Sequence, residues 1–244
     1  MRIVRDSGSI PWKVNGVENG QLDMTSDKGK QAVNFIQKLI DEDVLEPVAN
    51  KSDEYNRGFA EGRWGVQFDG CWKGTSFSKQ QPQLAGGKLE PYLTPSWGDG
   101  SGQHLVGEIG GSMIAVTSAT AKEKQAAAIA FANYLCSNKD SVKTIEDAGS
   151  VFLAAKSFQD DPTQADVVDK YFGMKANKVY FEAASLLSKG WSVLPFNSQY
   201  ATKYKDIIVP AMKKGGDLNA AFAQWQTSLE TYAKDQGFKV SIGS

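Results

Sequence analysis

Residues 52–74 read Ser-Asp-Glu-Tyr-Asn-Arg-Gly-Phe-Ala-Glu-Gly-Arg-Trp-Gly-Val-Gln-Phe-Asp-Gly-Cys-Trp-Lys-Gly. Two periods meet in this stretch. A helix over 52–61 stops at Gly62, because glycine takes the left-handed conformation that closes a helix. From residue 63 to residue 70, Trp64, Val66 and Phe68 alternate with smaller or polar residues, the two-residue period of a strand. Cys71-Trp72-Lys73-Gly74 then turns into a short helix. Helix, strand and helix in close succession set an α/β expectation.

The flanks extend it. Residues 1–24 are polar, glycine-rich and aperiodic (Asn15-Gly16, Asn19-Gly20), which reads as turns between short extended pieces. Ser26 caps a helix carrying Ala32, Val33, Phe35, Ile36, Leu39 and Ile40 at helical spacing, and Pro47 follows its acidic end. Downstream, 80–102 is rich in Gln, Gly, Pro and Ser around a short strand at 89–93. A Gly-Glu-Ile-Gly-Gly-Ser run at 107–112 leads into an apolar strand at 113–116. Thr120 caps a helix over 121–136 with Ala127, Ala128, Phe131, Ala132 and Leu135 on one side. Asn138 starts another helix, which Gly149 ends. Beyond a loop at 150–161, helices are expected at 162–172, 175–188, 199–213 and 217–236. Pro210 kinks the third of these, and the last carries Leu218, Phe222, Trp225, Leu229 and Tyr232. Helices dominate, a few strands intervene, and no repeat appears.

With 244 residues there is room for one large domain or two small ones. The 27 Lys and Arg against 28 Asp and Glu give a net charge of −1, without the basic excess that binding a nucleic acid requires. One His and two Cys leave too few ligands for most zinc sites, so no metal or cofactor is expected. No apolar run approaches the ~18 residues of a membrane span. The N-terminus, Met1-Arg2-Ile3-Val4-Arg5-Asp6, meets polar residues at once and has no apolar core of a signal peptide, so the protein is cytoplasmic or its leader lies outside this chain. Cys71 and Cys136 show no disulfide-framework spacing. What stands out is six Trp, eight Tyr and twelve Phe, a ring-rich neutral chain that suits a binder better than a metalloenzyme.

Three phrases then line up. The first is Gly58 to Val66 followed by Asp69-Gly70-Cys71-Trp72. The second is Gly110-Gly111-Ser112-Met113-Ile114-Ala115-Val116 followed by the helix ending in Cys136-Ser137-Asn138, and the third is Pro195 to Tyr200 with the helix after it. Over about residues 20–236, their order and spacing resemble the extracellular, periplasmic-type solute-binding proteins of ABC transporters, sugar-binding family 1. The resemblance implies a helix-rich α/β fold of the periplasmic-binding-protein type II kind. It also implies an oligosaccharide ligand, ABC permease subunits as partners, an extracytoplasmic location (periplasm or membrane-anchored lipoprotein) and no chemical step.

Family members are longer and have two lobes. This chain resembles their C-terminal part with the first lobe missing. Residues 1–104 and 148–244 then form the discontinuous second lobe, and 105–147 is a strand–helix segment that packs into the first lobe in the family. A helix with such an apolar face does not stay bare without aggregation or pairing. A rearrangement, a homo-oligomer or domain swap, or a companion chain is therefore expected, with weak or no binding by this chain alone.

The resemblance puts Trp72 at a strand end facing the ligand cleft, where a flat ring suits the C–H face of a sugar. Packing in the core is the competing role. Trp97, in the turn-rich loop 95–100, lines the cleft or covers a lobe edge, and Trp191 is a third candidate, whereas Trp64 and Trp225 read as core. Gly111 and Ser112 offer backbone N–H groups and a hydroxyl, or simply a tight turn entering a strand; phosphate-loop spacing is absent. Tyr200, beside Asn197 and Gln199, offers a ring near amides or belongs to a polar helix start. Asp69 and Glu108 are expected as acceptors for sugar hydroxyls. The alternative makes them the acid pair of a small glycoside hydrolase or transferase. His104, the only His, has no Gly-x-Ser-x-Gly elbow to serve, and Cys71 reads as a packed thiol. The blandest alternative is a protein-interaction domain whose rings are all core.

Overall fold

The computed structural model describes residues 2–7, 9–16, 18–49, 52–98, 103–108, 110–149, 152, 154–190 and 192–243. Along the chain run α1 (Arg2–Asp6), β1 (Trp12–Val14), β2 (Asn19–Leu22), α2 (Asp27–Asp41), α3 (Asp53–Ala60) and α4 (Lys73–Gln80). They are followed by α5 (Lys122–Ser137), α6 (Lys139–Gly149), α7 (Lys156–Gln159), α8 (Pro162–Ala165) and α9 (Ala176–Ser185). The last elements are α10 (Asn197–Lys203), α11 (Val209–Ala211), α12 (Leu218–Asp235) and β3 (Lys239–Ile242). The fold is helix-rich α/β, as the sequence predicts. Contacts within the chain define two units. One comprises Met1–Asn50, Pro95–Glu108 and Leu186–Ser244; the other comprises Lys51–Thr94 and Ile109–Ser185.

The first unit is built on a three-stranded sheet. β1 runs antiparallel to β2 with Trp12 opposite Leu22, and β2 runs parallel to β3 with Leu22 opposite Ile242. Gly16, at φ 87°, makes the tight turn between β1 and β2 that a side chain would resist. Ser26 caps α2 by accepting from the Gly29 N–H, and Ala32, Val33, Ile36 and Ile40 are buried beneath it. Asp217 caps α12 by accepting from the Ala220 N–H at 2.9 Å. Leu218, Phe222, Trp225 and Leu229 then point into the core, while Gln226 satisfies the buried Met24 N–H at 2.6 Å. The single helix expected at 199–213 is interrupted by a π turn at Tyr204–Ile208 just before Pro210, which has no N–H to donate back along the helix. Neither α1 nor β3 follows from the sequence pattern, since each is too short to show a period.

In the second unit Ser52 accepts from the Tyr55 N–H at 3.1 Å, and Gly62 (φ 72°) ends α3 as expected. Trp64 folds back onto α3. A Cβ at Gly58 would lie 1.8 Å from its Nε1, so only glycine admits the indole there. The Trp64 Nε1–H donates to the Tyr55 carbonyl at 3.1 Å and Arg63 stacks 4.6 Å from the ring, which leaves Trp64 half-buried instead of core. Phe59 and Phe77 join α3 to α4 with centroids 5.0 Å apart.

Several expected elements of this unit are absent or changed. The stretches 63–70, 89–93 and 113–116 form no strand, because no described residue offers them a ladder partner. Val66, Tyr92, Met113 and Ile114 are exposed along them. α5 begins after Ala121, which cannot cap, and Thr120 Oγ1 instead lies 3.3 Å from Thr117 Oγ1. The helix expected at 162–172 shrinks to α8. Asp169 Oδ1 takes the N–H groups of Tyr171 and Phe172 at 2.8 and 3.0 Å, a local turn that competes with helix. α7 forms inside the expected loop at 150–161. Among the described residues no helix is long and apolar enough to cross a membrane.

Candidate functional site

Asp69 and Trp72 share one turn of the second unit. Asp69 Oδ1 accepts from the Gly70 N–H at 2.8 Å, and Oδ2 accepts from Gln67 Nε2 at 2.7 Å. Lys73 Nζ stands 3.7 Å from the same Oδ2, with both side chains largely buried. That ammonium also lies 4.6 Å from the Tyr55 ring and 4.9 Å from the Phe77 ring, so it is held by a carboxylate and two π faces together. Burial pushes the Tyr55 hydroxyl up to about 12. Trp72 is half-buried at the start of α4, and a Cβ on Gly70 would lie 2.4 Å from its ring. Gly70 therefore makes room for Trp72 itself. The result is a ring and a pre-oriented carboxylate on one rigid turn.

In the first unit Glu108 and Tyr200 converge on Arg5. Arg5 Nη1 donates to the Glu108 carbonyl, and its guanidinium lies 5.2 Å from the Trp12 ring. Burial lowers the Arg5 pKa, and Tyr200 and Glu108 oppose that shift. Tyr200 starts α10 as expected, but its ring packs between Trp12 at 4.8 Å and Trp225 at 4.7 Å, making it part of the core, and burial raises its pKa. Trp97 lies edge-on to Phe35 of α2 at 5.5 Å. Gly111 and Ser112 are exposed on an irregular run in the second unit, and Trp191 lies outside the described residues. Its neighbour Ser192 accepts from Trp12 Nε1–H at 2.6 Å. Cys71 and Cys136 form no disulfide.

The sequence reading missed Gln67, Lys73 and Arg5. Lys73 was within reach, since an acid and a lysine four residues apart pair across a helical turn. Arg5 had no such signal, for its partner is 103 residues away. The apolar space of about 10 Å³ lined by Leu22, Leu194, Phe196 and Phe238 holds at most about one water and no sugar. A shallow groove of about 430 Å³ beside Asn15, Asn19, Lys234 and Lys239 contains none of the expected site residues. Among the described residues no three His, Cys, Asp or Glu are gathered as metal ligands.

A family model described as bacterial extracellular solute-binding protein matches residues 8–170. The chain belongs to that family. Among solved structures, this solute-binding protein is similar to the ABC transporter associated binding protein from B. animalis subsp. lactis Bl-04 in complex with β-1,6-galactobiose. The TM-score is 0.77 at 22% identity, covering 98% of this chain and 60% of that one. It is also similar to the galacto-N-biose/lacto-N-biose I-binding protein of the Bifidobacterium longum ABC transporter in complex with lacto-N-biose. There the TM-score is 0.77 at 19% identity, over 98% and 58% of the two chains. A Streptococcus pneumoniae solute-binding protein in complex with the blood group A-trisaccharide gives 0.56 at 18% identity, over 84% and 49%. No curated protein matches the sequence. At these identities the likeness establishes the fold, and the chain spans about 60% of the length of the structures it matches.

Proposed function

We propose that this solute-binding protein binds an oligosaccharide for ABC-type import, with permease subunits as its membrane partners and an extracytoplasmic site of action. The observation that carries the reading is the Asp69–Trp72 turn. It sets a flat apolar ring beside a carboxylate already held by Gln67, the Gly70 N–H and Lys73. A sugar presents hydroxyls and an apolar face together, and such a pair meets both without reorganising. The three similar structures, each reported with a bound saccharide, support the ligand class. Trp97, Glu108, Gly111, Ser112 and Trp191 complete the proposed contact set. Tyr200, packed between Trp12 and Trp225 in the core of the first unit, is left out of it. No chemical step is part of this reading; the Asp69 carboxylate acts as an acceptor, and a chromogenic glycoside should not be turned over.

Of the expected segment 105–147, the part from 110 onward is proposed to pack into the family's other lobe, since 105–108 is held in the first unit. The absence of any buried residue on α5 and of any strand in the largely exposed run 110–116 before it supports this. Binding by the chain alone is then weak. Calorimetric titration with β-1,6-galactobiose and lacto-N-biose tests both statements. Weak binding that Trp72→Ala weakens further supports the site, micromolar binding refutes the expected weakness, and equal binding by wild type and Trp72→Ala refutes the site.

A further inference from the structure

We propose that Arg5 and Asp6 are positioning residues for the segment 103–108, and that through it they orient Glu108. Only the ligand role of Glu108 rests on the reading above; the positioning itself does not. Asp6 Oδ1 accepts from the Gly107 N–H while Arg5 Nη1 donates to the carbonyl of the next residue, Glu108. Adjacent side chains on α1 thus grip main-chain groups of adjacent residues. Both side chains are buried, at 7% exposure, where charge-assisted hydrogen bonds are at their strongest. The segment belongs to no helix and no extended ladder. Its other backbone anchor is the parallel bridge between Val106 and Leu187, made by Val106 N–H to the Leu186 carbonyl (2.9 Å) and Ser188 N–H to the Val106 carbonyl (3.0 Å).

That location matters because the chain leaves the first unit after Glu108 and re-enters it at Leu186. The two passing segments are tied to each other beside their points of departure, and α1 fixes the tie. Arg5 fits the task better than a neutral residue. Its guanidinium rests on the Trp12 face, bonds the Glu108 main chain, and lies close enough to the Glu108 carboxylate for mutual attraction.

Residue-resolved hydrogen exchange on the intact chain tests the positioning. Arg5→Met should speed exchange of the Val106 and Gly107 amides by about tenfold, Arg5→Lys by no more than about threefold, and α12 amides should not change. Equal effects of Met and Lys, or wild-type exchange at Gly107 in Arg5→Met, overturn the proposal. If Arg5→Met also exposes α12, Asp6→Asn decides. Faster Gly107 exchange with α12 intact supports the grip, and wild-type exchange overturns it. Titration with β-1,6-galactobiose runs in parallel. Where the wild type binds, equal binding by Trp72→Ala refutes the ligand reading while the exchange result stands. Binding that Arg5→Met leaves untouched refutes orientation of Glu108 toward ligand.

Discussion

α12 and α5 are helices of similar length, 18 and 16 residues, with opposite fates. α12 buries seven residues, among them Trp225 and Leu229 at 0% exposure, and its N-cap Asp217 satisfies a first-turn N–H. α5 buries none, leaves Phe131 at 61% exposure, and starts from an alanine that caps nothing. Both sequences form helix readily, so propensity does not separate them. The difference is what lies opposite. Beneath α12 stand the sheet, α2 and the rings of Tyr200 and Tyr204, whereas among the described elements α5 has α6 as its one substantial neighbour.

The largest test of this contrast is truncation of one ring in each helix. Trp225→Ala should cost about 3–5 kcal/mol in urea unfolding, because its cavity opens among fixed rings. Phe131→Ala should cost less than about 0.5 kcal/mol, as for surface positions generally. Equal losses would mean that the face of α5 is covered in solution.

Legibility followed the same line. Helices with an apolar stripe or a clear stop were readable: Ser26 and Gly62 act where the sequence placed them, and the α12 stripe lies in the core. The strands were not, because the alternation at 63–70 and the apolar run at 113–116 record what suits burial, while a strand also needs a neighbour to pair with. The candidate site divides in the same way. Asp69 and Trp72 were legible as local neighbours, and Lys73 lay one helical turn away. The grip of Arg5 on Glu108 spans 103 residues and left no local trace.

A second test concerns the turn that carries the proposed site. Asp69→Asn keeps the shape but removes the charge opposite Lys73, whose ammonium would remain between Tyr55 and Phe77. Loss of one partner in a largely buried charged pair should cost about 1.5–3 kcal/mol, read as a lower urea midpoint at unchanged slope. A loss near zero would show that the turn is solvated and not pre-oriented. Smaller still is the cap contrast. Asp217→Ala should cost about 1 kcal/mol, and Thr120→Ala close to nothing, since Thr120 caps no helix.

The mildest test uses pH on the second unit. Tyr55 holds its proton more tightly in the folded protein, with a pKa of about 12 against an ordinary value of 10, chiefly because burial disfavours the phenolate. Between those values the folded state binds more protons than the unfolded one, so stability falls as pH rises. The Tyr55 contribution is fully present below pH 10 and lost as pH passes 12. Tyr55→Phe keeps the ring under Lys73 and removes the titrating group, so its stability should decline less steeply across that window. Parallel declines in Tyr55→Phe and wild type would assign the alkaline loss to the other hydroxyls raised by burial, Tyr171 and Tyr180 in the second unit and Tyr200 and Tyr204 in the first.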